Sequence, residues 1–239
     1  MNPYTAEFFG TALLMLLGIG VNANVVLPGT KGHGSGWIVI TAGWGMAVFV
    51  AVACVADHSG AHINPAVTIG LALAGQFDWV LVPGYILAQF LGAMTGTILA
   101  ILAFYKHYAQ ANDPAAVLGT LSTGPAIRSY GWNTLTEAVG TFVLMIAVLH
   151  FARSDTDRVG LGSIGAVPVG LLVFTIGAGL GGPTGFAINP ARDLGPRIVH
   201  ALMPIPGKGS SDWAYAWVPV VGPLIGAAAA AAVFAVGLG

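Results

Sequence analysis

Charge is what this sequence lacks. Eight Lys and Arg and nine Asp and Glu side chains make up 7% of 239 residues, where a soluble domain carries about 25%. So few ionised groups cannot cover a water-facing surface, which excludes a soluble enzyme and a charge-rich disordered segment. A net charge of -1 leaves no basic face to neutralise phosphates, and a nucleic-acid binder is excluded with it. Cysteine is nearly absent. Cys54 alone cannot form an internal disulfide and reads as a small apolar side chain within a span. Hydrocarbon is abundant instead: 56% of residues are hydrophobic and mean hydropathy is +0.83, the composition of an integral membrane protein.

Crossing about 30 Å of hydrocarbon takes about 20 helical residues. Six segments reach that length: Tyr4 to Leu27, Trp37 to Ala56, Val80 to Phe104, Trp132 to Ala152, Gly162 to Leu180 and Trp213 to Val236. Helices are the only assignment that pairs every backbone group in lipid, and the alternating period of a membrane barrel is missing. The first span lacks a small-residue cleavage pattern and reads as a retained anchor. Two further apolar pieces, Pro65 to Leu73 and Pro190 to His200, are too short to cross and read as re-entrant half-helices or buried loops. The links Pro28 to Gly36, Tyr105 to Gly131, Arg153 to Leu161 and Met203 to Asp212 are polar. The Ala227 to Ala232 run reads as a small-residue face at which backbones approach.

The chain repeats itself. Thr5-Ala6-Glu7-Phe8-Phe9-Gly10-Thr11 returns as Leu135-Thr136-Glu137-Ala138-Val139-Gly140-Thr141, Gly92 and Gly96 return as Gly222 and Gly226, and Asn64-Pro65-Ala66 returns as Asn189-Pro190-Ala191. Three matches in one order indicate a duplicated half with three spans per copy. An odd number makes the second copy enter from the opposite side, so the expectation is one domain over 1–239, built of inverted repeats 1–110 and 131–239 joined by loop 111–130.

Asn is a favoured N-cap and Pro a favoured first helical residue, so Asn64-Pro65 and Asn189-Pro190 each read as the start of a half-helix. Inversion brings the two starts together, and two positive dipole ends then repel cations from a path between them. If each Asn oxygen caps its own helix, the amide hydrogens stay free to donate to a passing oxygen. Ala66 and Ala191 are small enough to let the helix starts touch. Chance Asn-Pro turns do not account for the matched repeat positions.

Ser59-Gly60-Ala61-His62-Ile63-Asn64-Pro65-Ala66-Val67-Thr68 and Gly185-Phe186-Ala187-Ile188-Asn189-Pro190-Ala191-Arg192-Asp193 resemble the two signatures of the aquaporin, or major intrinsic protein, family. Arg192-Asp193-Leu194-Gly195-Pro196-Arg197 and Pro219-Val220-Val221-Gly222-Pro223 resemble its glycerol-facilitator branch. The resemblance implies an all-α fold of six transmembrane helices and two half-helices. It also implies a passive pore in each subunit of a homotetramer in the plasma membrane, without cofactor, metal or covalent chemistry. By the same resemblance the narrowest point is formed by Trp44, Gly177, Phe186 and Arg192, with aromatic faces opposite a guanidinium and Gly177 leaving room for the Phe186 ring and a wide solute.

Residues Gly60, Ala61, His62 and Ile63, with Gly185, Phe186, Ala187 and Ile188, are expected to run extended and to offer backbone carbonyls to the solute. His62 contributes its carbonyl, with the ring packed aside. Glu7 and Glu137 occupy equivalent positions inside spans, where a bare charge costs about 2.5–3.5 kcal/mol. They read either as acceptors that tie down the re-entrant loops or as a coupling-ion site. Asp57, His58, Asp78, His150, Arg153, Asp155, Asp157 and Arg158 fall at span ends or in loops.

The resemblance implies cytoplasmic termini. That leaves Lys31, Lys106, Arg128, Arg192, Arg197 and Lys208 in outside loops and Arg153 and Arg158 inside, the reverse of the positive-inside rule. Three functions follow. The first is a channel for glycerol, water and other small neutral solutes such as urea or lactic acid, excluding ions and protons. The others are a water-selective channel and an ion-coupled carrier using Glu7 and Glu137.

Overall fold

The structure, a computed structural model, describes residues 1–153 and 165–238. Ten helices are found among them: α1 Pro3–Val26, α2 Trp37–Ser59, α3 Pro65–Leu73, α4 Val82–Ala103, α5 Tyr105–Tyr108, α6 Pro114–Leu121, α7 Tyr130–Arg153, α8 Val167–Leu180, α9 Pro190–Leu202 and α10 Val218–Val233, which continues as a π-helical turn Phe234–Leu238. Five are long and apolar enough to cross a membrane: α1, α2, α4, α7 and α10. The expected fifth span starts at Gly162, outside the described residues, and its described part is α8, an apolar helix of 14 residues. Asp155, Asp157 and Arg158 also lie outside the described residues, as does the side chain of Arg153. Six spans and two half-helices make the architecture.

Local chemistry sets where the short helices begin. The Asn64 side chain accepts from Ala66 N, that of Asn189 from Ala191 N and Arg192 N, and that of Asp113 from Ala115 N and Ala116 N. Proline at the first helical position follows each, where a missing N–H costs nothing. Helix α2 stops at Gly60, whose φ of 80° is left-handed, a conformation that glycine adopts without steric cost.

Packing follows the duplication. Helix α1 packs on α4 and α2, and correspondingly α7 packs on α10 and α8. Each half-helix lies against the last span of the other repeat, α3 on α10 and α9 on α4. Lipid supplies no hydrophobic drive between spans, so close backbone approach holds them. A Cβ on Gly96 would come 2.2 Å from Ala12 O, and one on Gly226 2.1 Å from Ala138 O. Ala227, Ala230 and Ala231 of the alanine run are buried. Apolar side chains face outward instead, Leu87, Leu91, Leu99 and Leu102 forming one stripe of α4.

The link from Tyr105 to Gly131 is more ordered than its polarity suggests, because it contains α5 and α6. Eight residues make a marginal helix in isolation, so α6 depends on its anchors. Tyr108 Oη lies 2.8 Å from Thr120 Oγ1, and burial pushes the pKa of the Tyr108 hydroxyl up to about 12.

Candidate functional site

The two signature loops are held from behind by buried carboxylates. Glu7 Oε1 accepts from His62 N at 2.9 Å and Glu7 Oε2 from Ile63 N at 2.7 Å. Its second-repeat counterpart Glu137 accepts from Ala187 N at 3.0 Å and Ile188 N at 2.8 Å. Glu7 also accepts hydrogen bonds from Ser59 Oγ at 2.6 Å and Gln89 Nε2 at 2.7 Å. Both acids are thereby engaged in tying down backbone.

These loops are not regularly extended as the sequence suggests. Ala61 and Ile63 have φ of 51° and 44°, and Phe186 and Ile188 have 42° and 43°. Left-handed residues other than glycine cost of order 1–3 kcal/mol each, and the carboxylate bonds to the N–H groups of His62, Ile63, Ala187 and Ile188 offset it. They also break the pleat of a strand. Gly60, Ala61, His62, Ile63, Phe186, Ala187 and Ile188 all border a cavity of about 130 Å³, along with Asn64 and Asn189. The His62 ring packs 4.6 Å from Phe77 and 4.9 Å from Tyr85, with Nδ1 3.1 Å from Thr68 Oγ1.

At the junction of the repeats the half-helix starts meet. Asn64 Nδ2 donates to Ile188 O at 2.8 Å and Asn189 Nδ2 to Ile63 O at 2.9 Å. The sequence suggests that both hydrogens of each amide stay free. In fact one of the two bonds across the repeat boundary, and the Ile63 and Ile188 carbonyls serve the asparagines. Pro65, Ala66, Pro190 and Ala191 are buried beside them.

A second cavity, of about 500 Å³, adjoins the first and includes Gly185 in its wall. The residues common to both cavities are Trp44, Phe186 and Arg192. They form the partition that stands between the two spaces. Arg192 lies with its guanidinium carbon 4.0 Å from the centre of a Trp44 ring, and its Nη1 donates to Leu121 O at 2.9 Å. Gly177 borders neither cavity. Its part is the space it leaves: a Cβ there would come 2.9 Å from Phe186 Cζ, and one on Gly181 2.5 Å from Phe186 Cδ1.

Such a chain, matched along residues 1–234 by the family description "Major intrinsic protein", is placed by that match. The chain belongs to the major intrinsic protein family. Similar members include the "Probable glycerol uptake facilitator protein" of Thermotoga maritima, 57% identical over 95% of either chain, and the "Glycerol uptake facilitator protein" of Streptococcus pneumoniae R6, 54% identical over 98% of either. The X-ray structure of the aquaglyceroporin from Plasmodium falciparum superimposes with a TM-score of 0.84 at 33% identity, over 97% of this chain and 94% of that one.

Within this family member, Asp193 and Arg197 form a fully buried pair behind Arg192, Arg197 Nε to Asp193 Oδ1 at 2.8 Å. Asp193 Oδ2 accepts from Thr123 N and Thr123 Oγ1, both at 2.7 Å, and Arg197 Nη2 donates to Thr123 O at 2.8 Å. The pair thus staples the chain after α6 to α9. Sequence reasoning missed this partner segment and also Trp37, whose Nε1 donates to Gly177 O at 3.1 Å while its ring stands edge-on to Phe186 at 5.7 Å. The Asp113-Pro114 pair, the same cap-and-proline signal as Asn64-Pro65, was the available sign of α6.

Proposed function

We propose that this chain is a passive channel that conducts glycerol and other small neutral solutes, urea and lactic acid among them, together with water. Ions and protons are excluded, and no covalent chemistry takes place. The observation that carries this reading is the partition shared by the two cavities, Trp44, Phe186 and Arg192. A polyol has carbon along one edge and hydroxyls along the other. The Trp44 and Phe186 rings supply an apolar wall and Arg192, whose guanidinium carbon lies 4.0 Å from a Trp44 ring, supplies donors beside it, so one constriction meets both edges, and the space at Gly177 widens the opening for more than water. The relatives named for glycerol uptake support the same solute class.

Cations meet two barriers, the facing N-termini of α3 and α9 and the fixed charge of Arg192. Carbonyls of Gly60, Ala61, His62, Gly185, Phe186 and Ala187 replace part of the solute's hydration. Glu7 and Glu137 are structural acceptors in this reading, because their oxygens already serve the loops. The channel comprises two inverted repeats, 1–110 and 131–239, joined by 111–130. It assembles as a homotetramer in the plasma membrane with both termini in the cytoplasm, its outward apolar stripes meeting lipid or neighbouring subunits.

Stopped-flow light scattering of reconstituted vesicles tests this. Vesicles should shrink in sucrose and reswell rapidly in glycerol, to an end point that imposed proton or sodium gradients leave unchanged. Uptake beyond equilibrium, driven by such a gradient, would establish a carrier instead.

A further inference from the structure

We infer that Asn22 is a positioning residue of the filter, holding the Trp44 indole by its N–H and keeping that N–H out of the conduit. This rests on the filter reading proposed above. The Trp44 ring lies against α1, where Gly18 and Asn22 stand four residues apart and so share a face. A Cβ on Gly18 would come 2.4 Å from Trp44 Cζ3, so glycine admits the ring. One turn further on, Asn22 Oδ1 accepts from Trp44 Nε1 at 3.0 Å, while Asn22 Nδ2 donates to Thr120 O at 3.1 Å. Only one orientation of the amide satisfies an indole donor and a carbonyl acceptor together. Asn22 is 5% exposed and Trp44 3%, and both border the second cavity, so the bond holds the indole N–H at the edge of that space.

Thr120 O belongs to the end of α6, where a helix leaves its last carbonyls without internal partners. The next of them, Leu121 O, accepts from Arg192. Trp44 and Arg192, one the carbon-facing wall and the other the donor, are therefore referenced to the same helix end. An indole N–H is a donor only. Left unheld, it would bond to hydroxyls or water in the conduit and place a second donor on the wall that should face carbon. With Asn22 in place, Trp44 offers ring alone and donation falls to Arg192. Glycerol feels this difference, because its two edges must be told apart. Water does not.

The test reads glycerol and water permeability in the same proteoliposomes, so the amount of folded channel cancels in their ratio. In Asn22→Leu, of similar volume and without polar atoms, the glycerol-to-water ratio should fall by about threefold or more. Trp44→Phe removes the N–H that Asn22 serves. It should shift the ratio by itself, and adding Asn22→Leu to it should then change the ratio by less than about 1.5-fold. A ratio in Asn22→Leu within about 1.5-fold of the parent, or an equal fall in the Trp44→Phe background, overturns the inference. So does loss of water permeability in both Asn22→Leu and Asn22→Ala, which makes Asn22 a residue of the fold. A Trp44→Phe variant with an unchanged ratio removes the filter reading itself, and this inference with it.

Discussion

Asn64 and Asn189 each cap one half-helix and bond the carbonyl that precedes the other's cap, at 2.8 Å and 2.9 Å. Each side chain therefore both starts its own helix and closes the junction between repeats. Replacing Asn64 with Ala removes a cap worth about 0.5–2 kcal/mol and leaves Ile188 O without its donor, a further cost of about 1–3 kcal/mol. Thermal unfolding in detergent should show the sum as a lowered Tm, and Asn189→Ala should match it through Ile63 O. A Tm equal to that of the parent would count against the junction.

Glu137 takes one backbone N–H on each oxygen, from Ala187 and Ile188. A Gln there keeps one acceptor and turns an amide toward the other N–H, so Glu137→Gln should lose about 1–3 kcal/mol of stability. The end point of glycerol equilibration should not move. An altered end point, measured by isotope uptake, would assign the acid to coupling.

Asp193 and Arg197 are both fully buried, and breaking such a pair by removing one partner costs about 3–5 kcal/mol. Asp193→Ala should therefore cost more than Asp193→Leu combined with Arg197→Met, since the second removes the stranded charge as well. Unfolding midpoints of the two variants decide it, and the reverse order would contradict the pairing.

Gly96 and Gly226 occupy equivalent positions, each against a carbonyl of the opposing span. A methyl at either meets backbone rather than a movable side chain, so Gly96→Ala and Gly226→Ala should each destabilise by about 1–3 kcal/mol. Gly119, with nothing within 4 Å, is the control. Its alanine variant should stay near the parent in detergent stability.

Much of this was legible because the signals are discrete. Asn64-Pro65 marks the start of α3 and Asn189-Pro190 that of α9, since cap and proline chemistry is local. Gly92, Gly96, Gly222 and Gly226 stood out by repetition, although only the packing shows what they approach. The signature loops read as extended because sequence pattern does not report φ, and their left-handed residues Ala61, Ile63, Phe186 and Ile188 are sustained by carboxylates distant in sequence. Helix α6 escaped because eight residues give too short a run for periodicity to register. With it escaped the Thr120 and Leu121 carbonyls, and hence the use of Asn22, an ordinary polar residue near the end of a span until its two partners are known.

Glycerol passage through the proposed constriction depends on the space beside Phe186. A Cβ on Gly177 already falls 2.9 Å from that ring, so a full imidazole must displace it into the partition between the cavities. Paired stopped-flow measurements on Gly177→His should show glycerol permeability reduced by about tenfold or more while water permeability stays within about threefold of the parent. Equal loss of both, or glycerol flux left intact, would contradict the assignment of this constriction.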